Sequence, residues 1–249
     1  MNYHLFTTLD FGLCNRLRGY VGAWAYAKKM KCTLHVLWTR TPACPYAIEE
    51  LFEPLPNTRF VTAEESASTT YVYTTDDHGH LYHILTKYGI APTMAPLLIA
   101  SLVPVEAIRH SLRTLQESVP LATAIGLHVR RTDHATYANT VGGSTPDEVF
   151  WALAEREPTR PLFLACDERT TQVAFHARYG NRVHVVVDIL EPELECVRHT
   201  NGVHAVLDLY ALALCSAFQG SRMSSFSAHV EYLRAAWSAS PSLKLKIDC

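Results

Sequence analysis

Two adjacent arginines, Arg130 and Arg131, end the apolar segment AIGLHVRRTD. Side chains alternate between the faces of a strand, so His128 and Arg130 share one face and Arg131 lies on the other. Charged groups at the end of a buried strand are costly unless they are paired. Either Arg131 pairs with Asp133 and Arg130 is solvated, or a guanidinium binds phosphate, for which its planar fork is suited.

Two acidic segments could address other parts of a ligand. Asp167 and Glu168 follow the apolar run PLFLAC, where an acid caps a helix or contacts a ribose or a nearby arginine. Asp208 lies in HAVLDLYALAL, a helix with no charged face to solvate it. A carboxylate buried there needs a partner, either a structural arginine or a pair of donors such as a guanine edge.

Helix starts carry the remaining polar candidates. In GSRMSSFSAHVEYL, Ser224, Ser225 and Ser227 open a predicted helix, where hydroxyls and free backbone N–H groups bind an anion or simply cap the helix. In GLCNRLRGYVGAWAYAKK, Arg16 and Arg18 lie near a helix start, where the dipole repels positive charge. Their positive charges are explained if an anion lies in front of them, if the side chains are solvated, or if they pair with an acid of the other domain.

Composition limits the classes of partner. The 249 residues carry 22 basic and 24 acidic side chains and a net charge of −2, so no global field favours nucleic acid or an anionic membrane. No apolar run approaches the roughly 20 residues of a membrane span, and the N-terminus lacks a signal-peptide pattern, so we expect a cytoplasmic protein. The seven cysteines show no C-x-x-C spacing and predict neither disulfides nor a zinc site. His78, His80 and His83 are expected in a solvated loop that enters a helix.

The elements that must position these residues alternate between strand and helix, which predicts an α/β fold with parallel sheets. Strands are predicted at YHLFTTL, TLHVLW, TRFVTA, YVYTT, AIGLHVRR, PLFLACD, RVHVVV and AFQGS. Helices are predicted from about Asn15, at VEAIRHSLRTLQESV, and from near Thr145, Thr170, Asn201 and Ser224. We place a domain boundary near residues 118–123, which gives halves of 1–120 and 121–249 separated by a cleft. Ligands of such sheets bind beyond the carboxyl ends of the strands.

The segments GLCNRLRG, IGLHVRRTD, FLACDE and HAVLDLYALALCSAFQGSRMSSFS resemble, in this order, the fucosyltransferase superfamily. That superfamily includes α1,6-fucosyltransferases, rhizobial nodulation fucosyltransferases and protein O-fucosyltransferases. The resemblance is strongest over residues 10–53 and 123–236. It implies a GT-B-like fold of two facing Rossmann-type domains, with GDP-fucose held mainly by the C-terminal one and the acceptor on the N-terminal side.

The resemblance also implies roles for single residues. Arg130 would meet the β-phosphate, His128 and Asp208 the guanine, and Ser224 and Ser225 the pyrophosphate. Two further sets of roles follow from the motifs. Asp133 and Asp167 would fix Arg131 and the ribose side of the site, and Asn15 and Arg16 would face the donor across the cleft.

The implied reaction is inverting transfer of fucose to a hydroxyl of a glycan or glycoconjugate, without a metal or other cofactor. The chain contains no D-x-D motif to hold a metal, so Arg130 would stabilise charge on the leaving diphosphate. No acid lies between Asp133 and Asp147, and the candidates for a general base are Asp10, Asp133 and His134. Two alternatives stay open, a glycosyltransferase that uses another nucleotide sugar and a non-catalytic nucleotide- or sugar-binding module.

Overall fold

The computed structural model describes residues 2–132, 140, 143–187 and 201–244. The chain divides into two compact units. The first contains the residues up to Val105 together with C-terminal residues from Ala235, and the second contains Glu106–Arg234. Over the described ranges, no helix is both long enough and apolar enough to cross a membrane.

The first unit is built on a parallel sheet of four strands in the order β3-β2-β1-β4. Its central strands carry apolar side chains that are fully buried, among them Phe6, Leu34 and Val36. The strands are β1 (Tyr3–Thr7), β2 (Thr33–Leu37), β3 (Thr58–Phe60) and β4 (Tyr73–Thr75). The helices are α1 (Leu13–Lys29), α2 (Ala63–Ala67), α3 (Leu81–Lys87) and α4 (Ala95–Ile99).

The second unit repeats this topology with the strand order β7-β6-β5-β8. Every residue of β5 and β6 is buried, as the largely apolar runs predict for central parallel strands. The strands are β5 (Ile125–Val129), β6 (Leu162–Cys166), β7 (Val183–His184) and β8 (Ala217–Gly220). The helices are α5 (Glu106–Ser118), α6 (Asp147–Arg156), α7 (Arg169–Tyr179), α8 (Gly202–Leu214) and α9 (Ser225–Ala239), of which the residues from Ala235 are counted in the first unit.

The predicted α/β alternation is confirmed, with local differences. Within YVYTT the strand spans only Tyr73–Thr75, and RVHVVV is a strand only over Val183–His184. TRFVTA ends as a strand at Phe60 because Thr62 accepts the Glu65 N–H and starts α2 instead. The strand predicted at AFQGS is β8, which lies at the edge of its sheet and is half-buried.

The strand order places a topological switch point in each unit. In both sheets the first strand in sequence lies between the second and the fourth. The second and third strands are therefore added on one side of the first strand and the fourth on its other side. The switch points are therefore between β1 and β4 and between β5 and β8. Ligands of open parallel sheets bind beyond the carboxyl ends of the strands, and the candidates Arg130 and Asp167 directly follow β5 and β6.

Candidate functional site

The carboxyl end of β5 carries the two predicted arginines, and each has an acidic partner. Arg130 Nη1 lies 2.6 Å from Asp167 Oδ2, and the two side chains are 13% and 7% exposed. Asp167 follows β6, which pairs with β5 in parallel, and its Oδ1 also accepts the Arg131 N–H at 2.8 Å. Asp167 thus binds both the side chain of Arg130 and the backbone of Arg131.

Arg131 pairs with an acid that the sequence reading did not select. Its Nη2 contacts Asp147 Oδ1, at the start of α6. Asp133, the partner considered from the sequence, lies outside the described residues, as does His134. The signal for Asp147 is its place in the first turn of a helix, which is typical of an N-terminal acid with no further role.

Two serines bind the end of β5, Ser221 from the loop after β8 and Ser227 from the first turn of α9. Ser221 Oγ accepts the Arg130 N–H at 2.9 Å and donates to the His128 carbonyl at 3.0 Å. His128 is 6% exposed, its Nδ1 lies 2.8 Å from Ser227 Oγ, and its ring stacks on Phe226 at 4.5 Å between centroids. The contacts hold His128 and Arg130 against the start of α9, across the switch point.

The predicted serine turn lies at this same place. Ser224 precedes α9 and its Oγ accepts the Ser227 N–H at 3.4 Å, while Ser225 is the first helical residue. Ser224 therefore acts as a helix cap in this structure. The backbone N–H groups of a first helical turn provide a partial positive charge for an anion.

Asp208 is the most unusual group of the second unit. It lies on α8 and is 8% exposed, and its Oδ1 has no hydrogen-bond partner in the part of the chain that is described. No arginine within the described ranges pairs with it. Burial raises the pKa of this carboxyl well above its usual value. Burial, and to a smaller extent the charge of Asp208, also raises the pKa of Cys166 at the end of β6.

An unpartnered buried carboxyl is costly to keep. It is the feature expected of a site whose hydrogen bonds are completed by a ligand with N–H donors. Because α8 packs on β5 and β6, Asp208 belongs to the same unit as the strand-end arginines.

In the first unit, Arg16 is fully buried and is neither solvated nor paired with an acid among the described residues. Its Nε donates to the Phe11 carbonyl at 2.7 Å and its Nη2 to Thr41 Oγ1 at 2.6 Å. Its Nη1 donates to the Thr39 carbonyl and to Thr8 Oγ1. Burial lowers the pKa of the guanidinium. These bonds tie the loop after β1 to the loop after β2, so Arg16 has a structural role that accounts for its place at the helix start.

The other N-terminal candidates surround this loop. Asp10 is exposed, Asn15 is half-buried, and Arg18 is 5% exposed with its Nη1 3.5 Å from Asn15 Oδ1. His78 is buried rather than solvated, which corrects the expectation for its segment. Its Nε2 accepts the Leu9 N–H at 3.3 Å, and its ring stacks on Phe11 at 5.3 Å between centroids.

No group of three or more His, Cys, Asp or Glu side chains suited to a metal ion occurs within the ranges described. The cysteines described, among them Cys14, Cys32 and Cys166, are buried free thiols.

Comparisons with known proteins find similarity in three dimensions. No family model matches the chain, and no curated protein matches its sequence. The structure of fucosyltransferase NodZ from Bradyrhizobium is similar, with a TM-score of 0.65, 15% identity and 93% of both chains covered. NodZ α-1,6-fucosyltransferase soaked with GDP-fucose gives a TM-score of 0.63 at 14% identity, over 94% of this chain and 93% of the other.

POFUT1 in complex with GDP-fucose is also similar, with a TM-score of 0.60, 13% identity and 94% of both chains covered. The GT-B-like α/β fold class is thereby confirmed. At these identities the similarity concerns the fold.

Proposed function

We propose that the protein is an inverting, metal-independent glycosyltransferase that transfers fucose from GDP-fucose to a hydroxyl of a glycan or glycoconjugate. The fold it shares with NodZ and POFUT1, whose structures were solved with GDP-fucose, supports this proposal. The observation that carries it is the buried carboxyl of Asp208, whose Oδ1 has no hydrogen-bond partner among the described residues, in the same unit as a paired arginine at a strand end.

Asp208 would bind the guanine. An ionised carboxylate is an acceptor with two oxygens, and the Watson–Crick edge of guanine presents adjacent N–H donors that match it. Uracil lacks this pair of donors, so the site would favour guanine nucleotides. His128 would contribute to the same end of the donor from the neighbouring strand.

Arg130 would stabilise the leaving diphosphate. In the reaction a bond forms between the acceptor oxygen and the anomeric carbon, and the bond from that carbon to the β-phosphate oxygen breaks. Negative charge accumulates on the diphosphate, and a guanidinium fixed beforehand stabilises it without reorganisation. Asp167 would orient Arg130 for this role, and Ser224 and Ser225 at the start of α9 would receive the diphosphate.

The acceptor proton would leave through a base of the chain or through water. Asp10, exposed just after β1, is one candidate, and Asp133 and His134 stay predictions. The roles of Asn15, Arg16 and Arg131 toward the donor also stay predictions, because the bonds described for Arg16 and Arg131 go to protein oxygens.

Turnover of a donor panel tests the proposal. GDP-fucose, GDP-mannose and UDP-sugars are incubated with mixed glycan acceptors, with and without EDTA, and release of the nucleoside diphosphate is followed. We expect turnover of GDP-fucose that the chelator does not reduce. Turnover of another nucleotide sugar instead of GDP-fucose would show that the donor is different from the one proposed. Binding of GDP without transfer or hydrolysis would indicate a non-catalytic module.

A further inference from the structure

Met223 has a backbone conformation that its residue type does not favour. Its φ is +58°, in the left-handed region that side chains other than those of Gly, Asn and Asp adopt at a cost. Two other described non-glycine residues share this conformation, Lys31 and Asn57, and both have a local explanation. Lys31 follows the C-terminal turn of α1, where a left-handed residue is usual, and Asn tolerates the region. Met223 belongs to neither case.

The residues on both sides of Met223 impose this conformation. Before it, Ser221 Oγ accepts the Arg130 N–H and donates to the His128 carbonyl. The Arg222 N–H donates to Thr145 Oγ1 at 2.8 Å. After it, Ser224 caps α9. The loop is therefore fixed at four points around one strained residue.

The side chain of Met223 contributes little to the fold that would offset this cost. It is 58% exposed, the highest exposure among the large hydrophobic side chains described. A glycine would adopt the same φ without strain. A strained residue with an exposed apolar side chain, at the switch point of a parallel sheet, is typical of a position where a ligand completes the contacts.

We propose that Met223 contacts the sugar of the bound donor and selects for a 6-deoxyhexose; this inference rests on the proposed function. Met223 lies between Ser221, which holds the backbone of Arg130, and Ser224 at the helix start. Both are next to the groups assigned to the diphosphate, so the sugar linked to that diphosphate lies within reach. A thioether side chain offers apolar, adaptable contact and no hydrogen-bond donor. It suits the methyl group of a deoxyhexose better than the hydroxymethyl group of a hexose, which would lose hydrogen bonds to water there.

Calorimetric titration of the whole protein tests this inference with GDP, GDP-fucose and GDP-L-galactose, whose sugar differs from fucose only by a hydroxyl group at C6. We expect Met223→Gly to bind GDP-fucose about tenfold more weakly, as the loss of apolar contact predicts, while binding of GDP changes far less. The difference in affinity between GDP-fucose and GDP-L-galactose should become smaller. Met223→Leu, which keeps an apolar side chain, should retain the preference.

Lys31→Gly is the matched control, because it makes the same backbone change in the first unit and should leave all three affinities unchanged. Thermal unfolding separates binding from folding, since Met223→Gly removes strain and should not lower the unfolding midpoint. Unchanged GDP-fucose binding in Met223→Gly, or an equal loss for GDP and GDP-fucose, would overturn the assignment of the sugar contact. If the unaltered protein binds none of the three nucleotides, the proposed function itself fails, and this inference with it.

Discussion

Arg16 shows how a charge that looks misplaced in a sequence can be structural. A guanidinium near a helix start is repelled by the helix dipole by a few tenths to about 1 kcal/mol. That cost is small beside the hydrogen bonds that the buried group makes with the Phe11 and Thr39 carbonyls and with two threonine hydroxyls. The sequence shows that this charge needs a partner. The oxygen atoms that bind it belong to loops whose conformation the sequence pattern does not predict.

Replacing Arg16 should destabilise the protein strongly. In Arg16→Met the hydrogen bonds of the buried guanidinium to the carbonyls of Phe11 and Thr39 are lost, and hydrogen bonds to a charged group contribute about 1.5–3 kcal/mol each. We expect a loss of at least about 2 kcal/mol in the free energy of unfolding, measured by urea denaturation. Arg40→Ala, which breaks an exposed ion pair with Glu50, should cost less than about 1 kcal/mol. Equal effects of the two variants would show that the buried bonds contribute nothing.

At the same scale, the need of Asp208 for a partner followed from its apolar helix alone, because its neighbours one turn away are uncharged. The pairing of Arg131 with Asp147 did not follow. The two residues are 16 positions apart in the chain, and local spacing gives no measure of distance across a connection of that length.

Among the elements, β8 and α9 approach each other unusually closely. A Cβ atom on Gly220, at the end of β8, would lie 2.5 Å from Ser227 Oγ and 2.6 Å from Ser227 Cβ. The same hydroxyl bonds the ring of His128. The absence of a side chain at residue 220 therefore allows the helix start to lie against the strand end where the candidate site is built.

Gly220→Ala should disturb both stability and the site. The added methyl group forces Ser227 away, and overpacking of this kind typically costs about 1–3 kcal/mol. The bond between Ser227 and His128 should lengthen, and GDP affinity should fall together with the unfolding midpoint. Gly79→Ala is the control, because a Cβ atom there meets nothing within 4 Å. If Gly220→Ala and Gly79→Ala have the same unfolding midpoint and the same affinity for GDP, the close approach of β8 and α9 contributes to neither stability nor GDP binding.

The larger elements were predictable because their signals are long or repeated. β6 is an unbroken apolar run and β5 is apolar except for His128, while α8 and α9 begin at an Asn and at a Ser-rich turn, as helix starts commonly do. α2 and α4 are five residues each, too short to show the helical period over even two turns. Their existence depends on tertiary contacts rather than on sequence periodicity.

Across the molecule, burial lowers the pKa of histidines in both units. Several of them lie in the first unit, and for His4 the pKa falls to about 4. His4 is fully buried on β1, with its Nε2 3.0 Å from Thr75 Oγ1. In the unfolded chain a histidine titrates near pH 6.5, so between these pH values only the unfolded state binds the proton.

The stability of the first unit should therefore fall on acidification. The contribution of neutral His4 is complete above about pH 6.5 and is lost as the pH falls toward about 4. His4→Gln, which has no titrating group, should show a flatter profile of unfolding free energy over this interval. His110 is exposed, and His110→Gln should leave the slope of unfolding free energy against pH as it is in the unaltered protein. A slope in His4→Gln that equals that of the unaltered protein would exclude His4 as the source.

The most direct test of the whole account is calorimetric titration with GDP and UDP in the presence of EDTA, for the unaltered protein and Asp208→Asn. We expect binding that selects GDP, is insensitive to the chelator, and falls by about 30-fold or more in Asp208→Asn, as the loss of a charged pair of hydrogen bonds predicts. Because burial raises the pKa of Asp208 in the free protein, GDP affinity should rise with pH as the carboxyl ionises. Equal binding of GDP and UDP, or GDP affinity unchanged in Asp208→Asn, would contradict the assignment of this unit as a guanine-nucleotide donor site.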